Sequence, residues 1–345
     1  MYFTETINDK KVSFLGLGCW RFGEQENPSC DPGFSSASGV SPNPAKNYWN
    51  GQKRKDSLKI IDFAVSNGIT HFDTAQAYGN GISEQTIGQR LKKIRDKVII
   101  ATKILPTSNS NDNILKKINI SLKRLCTDYI DILYLHWPDK KYDIRFAVET
   151  LEKAKNLGII KSIGVSNFST TEIEKALLAG KIDFCQIGYN ILWQHREKDV
   201  IPFCVLNKIS IIAYSFFAQG IVFKKNIETN ADLLNSNRKN LVFFKKENIE
   251  IVKNIINELN NISLSTGYTI PQILINWVKT KKWLTGILVG ASKKSQIVES
   301  IEAIDLSINN KISIYVENLN AMGYNIVDTC NIFAHNFNII HKEGF

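Results

Sequence analysis

The sequence predicts an α/β fold, a (β/α)8 TIM barrel. Eight short apolar runs recur along the chain, and longer helix-period segments lie between them. Runs apolar on both faces belong to a parallel sheet covered by helices, and eight such units in this length suit a closed barrel. An open doubly wound sheet is the competing architecture. It lacks support, because no GxGxxG follows the first run at a helix start. The 345 residues are read as one such unit, residues 1–345.

The elements follow in order. YFTETI and KVSF alternate about the polar NDK, which predicts an N-terminal hairpin. The strands are SFLGLGCW (13–20), THFDTA (70–75), KVIIATK (97–103), YIDILYLH (129–136), IKSIGVS (160–166), DFCQIGYN (183–190), SIIAYSF (210–216) and LTGILVG (284–290). DSLKIIDFAVSNG, NDNILKKINISLKRLC, RFAVETLEKAKNLG and SQIVESIEAID read as helices, several ending near a glycine as a C-cap does. A Pro/Gly/Ser/Asn-rich insertion spans 24–54, a second long segment covers 217–244, and an extension follows at 307–345. The first two follow strand C-terminal ends, the face on which barrels build their sites.

Composition narrows the class. The net charge of +10 is spread without a block of like charges, so it reads as a solvated surface. No zinc-finger or RNP spacing accompanies it, and no nucleic-acid partner is expected. No apolar stretch approaches 18 residues, and the N-terminus MYFTETINDKK has no apolar leader region. The six cysteines show no CxxC pairing or metal spacing, which predicts free thiols, a cytoplasmic setting and no metal.

Polar residues stand at the strand ends: Asp73 with Tyr78 just beyond, Lys103, His136, Ser166 and Asn167, Gln186, then Tyr214 and Ser215. Each alone has a plain structural reading: a turn cap, a surface ring, a salt-bridged lysine, a satisfied core histidine. Converging on one barrel mouth, they gain another. A lysine ending a buried strand needs a partner, and Asp73 is next to it. Its ammonium beside Tyr78 is expected to lower the tyrosine pKa from about 10 and make a general acid. His136 adds a second donor. The set suits protonation of an oxyanion; no Ser or Cys stands beside a base as a nucleophile.

FDTAQAYG, ATK, LHWPD, GVSNF, QIGYN and GASKKSQIVESI, in this order, resemble the aldo-keto reductase family over about residues 14–304. The resemblance implies NADPH-dependent reduction of a small carbonyl substrate. It implies Tyr78 as proton donor, Lys103 and Asp73 as its modifiers, and His136 as the residue orienting the carbonyl. It further implies a cofactor site, NADPH or NADP, with Gly18, Cys19, Trp20 and Asp73 at one edge. Ser166, Asn167, Gln186 and Tyr214 would hold the nicotinamide, and Ser215, Phe217, Ala218 and Gln219 the pyrophosphate. Gly290, Ser292, Gln296 and Glu299 resemble the adenosine end. Trp20 and Trp137 are expected to line the substrate pocket. Ser292 stands where many members carry arginine, leaving Lys293 and Lys294 to meet a 2′-phosphate and weakening the expected preference over NAD. The family also includes nucleotide-binding subunits of potassium channels, a regulatory alternative with weak turnover.

Overall fold

Strands β1 (Phe3–Ile7) and β2 (Lys10–Ser13) pair antiparallel as the expected hairpin. Next come β3 (Leu15–Gly18), β4 (His71–Asp73), β5 (Ile99–Ile104), β6 (Ile130–Leu135), β7 (Ile160–Ser166), β8 (Phe184–Gly188), β9 (Ser210–Tyr214) and β10 (Leu284–Val289). These eight close a parallel barrel in sequence order, β10 returning to β3. The computed structural model describes residues 2–7, 9–22, 52–106, 110–224, 226–231, 241–323 and 325–326.

The strands read as continuous apolar runs because they are buried on both faces. Ile99, Ala101, Ile132, Tyr134, Phe184, Ile212 and Leu288 fill the barrel interior. Their neighbours, such as Ile100, Leu133, Ile163 and Ile211, face the helices in a separate, larger core. That helical layer comprises α1 (Arg54–Ser66), α2 (Ile82–Leu91), α3 (Asn111–Leu125), α4 (Ile144–Asn156), α5 (Thr170–Leu177), α6 (Val200–Leu206), α7 (Ile249–Thr266), α8 (Ile270–Lys279) and α9 (Lys294–Asp305). Local chemistry fixes the starts: Ser169 with Glu172 boxes the N-terminus of α5, and Thr269 with Gln272 that of α8.

The hairpin covers one end of the barrel. Ile7 and Val12 join the interior cluster. Lys10, nearly buried, donates to Asp131 at 2.8 Å, to the Tyr129 hydroxyl at 2.8 Å and to the Val98 carbonyl at 2.9 Å. The strand C-termini open at the other end.

The long segments are partly described. The insertion over 24–54 lies outside the described residues except for its last three, and Arg54 already begins α1. Between β9 and α7, short helical turns form at Ala218–Phe223 and Val242–Phe244. The extension contributes α10 (Asn310–Gly323), a helix that sequence pattern left unplaced. Its Val316 and Leu319 are buried, and Glu317 accepts a hydrogen bond from Trp277 Nε1 of α8 at 2.7 Å. Residues 327–345 lie outside the described residues.

Candidate active site

Successive side chains on a strand point to opposite faces, so Asp73 and Lys103 rise from adjacent strands into the barrel mouth. They are 3% and 1% exposed, burial that neither charge tolerates alone. Lys103 Nζ donates to Asp73 Oδ1 at 2.5 Å, to the Thr74 carbonyl at 2.9 Å and to the Tyr78 hydroxyl at 3.3 Å. Three acceptors match the three donors of an ammonium. The other Asp73 oxygen accepts from Gln186 Nε2 at 2.7 Å, so the carboxylate is held from both sides.

One electrostatic expectation fails. The Tyr78 pKa is raised, not lowered. Burial pushes the hydroxyl well above 10, and the Asp73 carboxylate adds to the rise. Desolvation of the phenol is the largest cause and sets the direction. Burial also lowers Lys103, with Asp73 opposing. His136 lies well below 6.5, from burial first and Lys103 second, so its imidazole is neutral. Its ring meets that of Tyr78 edge to face, with centroids 5.8 Å apart.

Tyr78 and His136 border a pocket of about 380 Å³, counting its open mouth, lined also by Trp20, Trp137, Ser166, Asn167, Gln186 and Tyr214. Both tryptophans expected at the substrate end thus border the same space as the tyrosine hydroxyl. Asn167 has a φ of 65°. It donates from Nδ2 to the His136 carbonyl at 3.0 Å and accepts at Oδ1 from the Tyr214 hydroxyl at 2.5 Å.

Past β9, Ser215, Ala218 and Gln219 take positive φ values of 57°, 46° and 56°. Ser215 Oγ and both amide atoms of Gln219 are buried without a hydrogen-bond partner. Orphaned polar atoms on a strained loop fit a polar ligand that supplies their partners. Ser215 and Gln219, two of the residues expected around a dinucleotide, thus present polar atoms that a bound ligand would satisfy. Asn190 was not singled out from sequence. It donates to the Ser215 carbonyl at 3.1 Å and accepts from Leu192 N at 2.9 Å. That second contact is an Asx turn, the local signal that an asparagine just past a strand can give.

Gly18 ends β3 beside Asp73, and Cys19 follows it. Cys19 N donates to the Asp73 carbonyl at 2.8 Å. Its thiol is fully buried, and burial raises its pKa. The adenosine-end residues stand apart from the pocket, and one is differently employed. Gln296 Oε1 accepts from Ser292 N at 2.8 Å and Lys293 N at 3.0 Å. Through that oxygen it caps α9, as a glutamine at the third helical position satisfies orphan backbone donors. Lys294 Nζ lies 5.3 Å from the centre of the Phe63 ring on α1. Gly290 is exposed, and Ser292 and Glu299 are half-buried.

Known proteins share this architecture. The Aldo/keto reductase family model matches residues 43–321. The aldo-keto reductase YhdN of Bacillus subtilis is 30% identical, over 87% of this chain and 88% of its own. The NADH-specific methylglyoxal reductase of Escherichia coli is 29% identical, over 88% and 93%. The solved glycerol dehydrogenase of Gluconobacter oxydans superposes with a TM-score of 0.75 over 95% of this chain and 98% of its own; at 24% identity it speaks for the fold alone. With one family model spanning most of the barrel and a relative matching nearly end to end, this protein belongs to the aldo/keto reductase family.

Proposed function

We propose that the protein reduces an aldehyde or ketone to an alcohol, with NADPH as hydride donor and Tyr78 as proton donor. One observation carries this reading: the Tyr78 hydroxyl, 3.3 Å from a buried ammonium, borders an aromatic pocket together with a neutral histidine. Ser166, Asn167, Gln186 and Tyr214 would hold the nicotinamide end, and Ser215, Phe217, Ala218 and Gln219 the pyrophosphate. Bound there, NADPH supplies the hydride.

The chain's own residues do the rest. Tyr78, its pKa raised by burial, is protonated at neutral pH and has a proton to give. As the proton leaves, the Lys103 ammonium faces the developing phenolate, and Asp73 keeps Lys103 charged and in place. A neutral His136 donates one N–H to the carbonyl oxygen and aligns it for Tyr78. The aromatic walls exclude water around the reacting atoms.

The test is steady-state oxidation of NADPH by the purified protein over an aldehyde panel, followed by absorbance. Tyr78→Phe should reduce turnover by about a thousandfold or more, a general-acid contribution in the usual range, while NADPH binding stays within about twofold. Normal turnover by that variant would sink the role of Tyr78. Tight nucleotide binding with feeble wild-type turnover on every aldehyde would favour the regulatory alternative instead.

A further inference from the structure

Tyr78 stands at the head of a strained turn. Gly79, Asn80 and Gly81 follow it with φ values of 55°, 54° and 93°. A run of left-handed residues that includes a non-glycine persists only where its surroundings enforce it. Helix α2 starts directly after Gly81, and its first turn is bonded on several sides. Ser83 Oγ donates to the Cys19 carbonyl at 2.8 Å and accepts from Thr74 Oγ1 at 2.8 Å. Glu84, fully buried, accepts from Thr102 Oγ1 at 2.6 Å. Thr102 precedes Lys103 on β5, so the same carboxylate ties the tyrosine's turn to the lysine's strand.

The remaining side is closed by Arg124 from α3. Its side chain is 5% exposed and its Nη1 lies 3.5 Å from Glu84 Oε2. A Cβ placed on Gly81 would stand 2.3 Å from the guanidinium carbon, so the guanidinium packs directly on the turn's backbone. Its base is fixed as well. At Gly88, a Cβ would fall 2.4 Å from Leu125 Cα, so α2 and α3 touch backbone to backbone beside Arg124. A buried charge pair is no gain over apolar packing in stability, so its presence beneath this turn asks for another role.

We propose that Arg124 is a positioning residue: by packing on Gly81 and pairing with Glu84, it holds the left-handed turn that keeps the Tyr78 hydroxyl within reach of Lys103. This rests on the reading of Tyr78 as proton donor. Arg124 does not line the pocket, so its loss should act on the proton-donating step and spare binding.

The experiment compares full-length wild type with Arg124→Met and Arg124→Lys. Arg124→Met should lower kcat at least tenfold with KM for the aldehyde and Kd for NADPH within twofold, and should shift the pH profile of kcat. Arg124→Lys should recover most of the loss. A folded Arg124→Met with wild-type kcat and pH profile would overturn the proposal. Should that variant not fold, Arg124→Met combined with Glu84→Gln removes both buried charges and is read the same way. A second readout is independent of turnover. In protein labelled with 3-fluorotyrosine, the Tyr78 resonance, assigned through Tyr78→Phe, should shift and broaden in Arg124→Met and return in Arg124→Lys. An unmoved resonance overturns the positioning role. A wild type inactive on every aldehyde refutes the proposed reaction, and the resonance still decides the role of Arg124.

Discussion

His71 makes the barrel acid-sensitive from within. Strand parity puts its side chain on the same inward face as Asp73. It packs over Gly16, where a Cβ would lie 2.9 Å from its Nδ1, and its Nε2 is buried without a hydrogen-bond partner. Burial lowers its pKa to about 4; Lys103 acts in the same direction, while Asp73 and Asp131 oppose it. An unfolded histidine titrates near 6.5. The folded state therefore binds fewer protons than the unfolded state between those values, and stability must fall as the pH drops through the window. With those two constants, the loss from pH 7 to pH 5 is about 2 kcal/mol, rising to about 3 kcal/mol below pH 4. The assay is urea unfolding of wild type and His71→Gln at pH 7, 6 and 5. The variant starts less stable, because an amide replaces a fitted ring. Its stability should nevertheless decline less, by about 2 kcal/mol over the same interval. Parallel declines in the two proteins would refute the assignment of a neutral, desolvated imidazole to this position.

Two further outcomes follow from single residues. Lys10→Met should lower stability by about 3 kcal/mol, because it strips a buried charge partner from Asp131, which keeps Arg95 at 2.6 Å and the Ile100 N–H at 2.9 Å; an unchanged denaturation midpoint would show that the hairpin contact is dispensable. Lys293→Ala should weaken NADP binding about two- to fivefold at low salt, with little effect on NAD, while Lys294→Ala spares both, since Lys294 lies over Phe63. Paired dissociation constants by fluorescence quenching check this, and equal losses for both nucleotides would displace the phosphate site from Lys293.

The barrel was legible because every strand is buried on two faces and so writes itself as an unbroken apolar run. Its site was legible for a related reason. A polar residue ending such a run has nowhere to go but the mouth, and Asp73, Lys103 and His136 all end one. What stayed hidden depends on partners distant in sequence. Glu84 occupies the first turn of α2, where an acid reads as an ordinary helix-dipole residue on the surface. Only the approach of α3 shows that it is fully buried. The direction of the Tyr78 shift escaped for a similar reason: the sequence names Lys103 as a neighbour but not how strongly the hydroxyl is desolvated. The capping role of Gln296 was legible too, since a glutamine three residues into a helix is a capping pattern whatever else its amide meets. The extension carries α10, whose buried face fits α7 and α8, elements whose own positions had first to be known.

The hairpin at the closed end has a temporal consequence. Thr4 bonds to the carbonyl of Thr285, Glu5 accepts from Ser210, and Lys10 reaches Asp131. A ribosome releases residues 3–13 long before 210 and 285 exist. The earliest strands must therefore wait for the last one, and their unpaired edges stand open to strangers throughout synthesis. Contacts spanning that much chain form slowly, so sealing the base should coincide with completion of the barrel and not with its beginning.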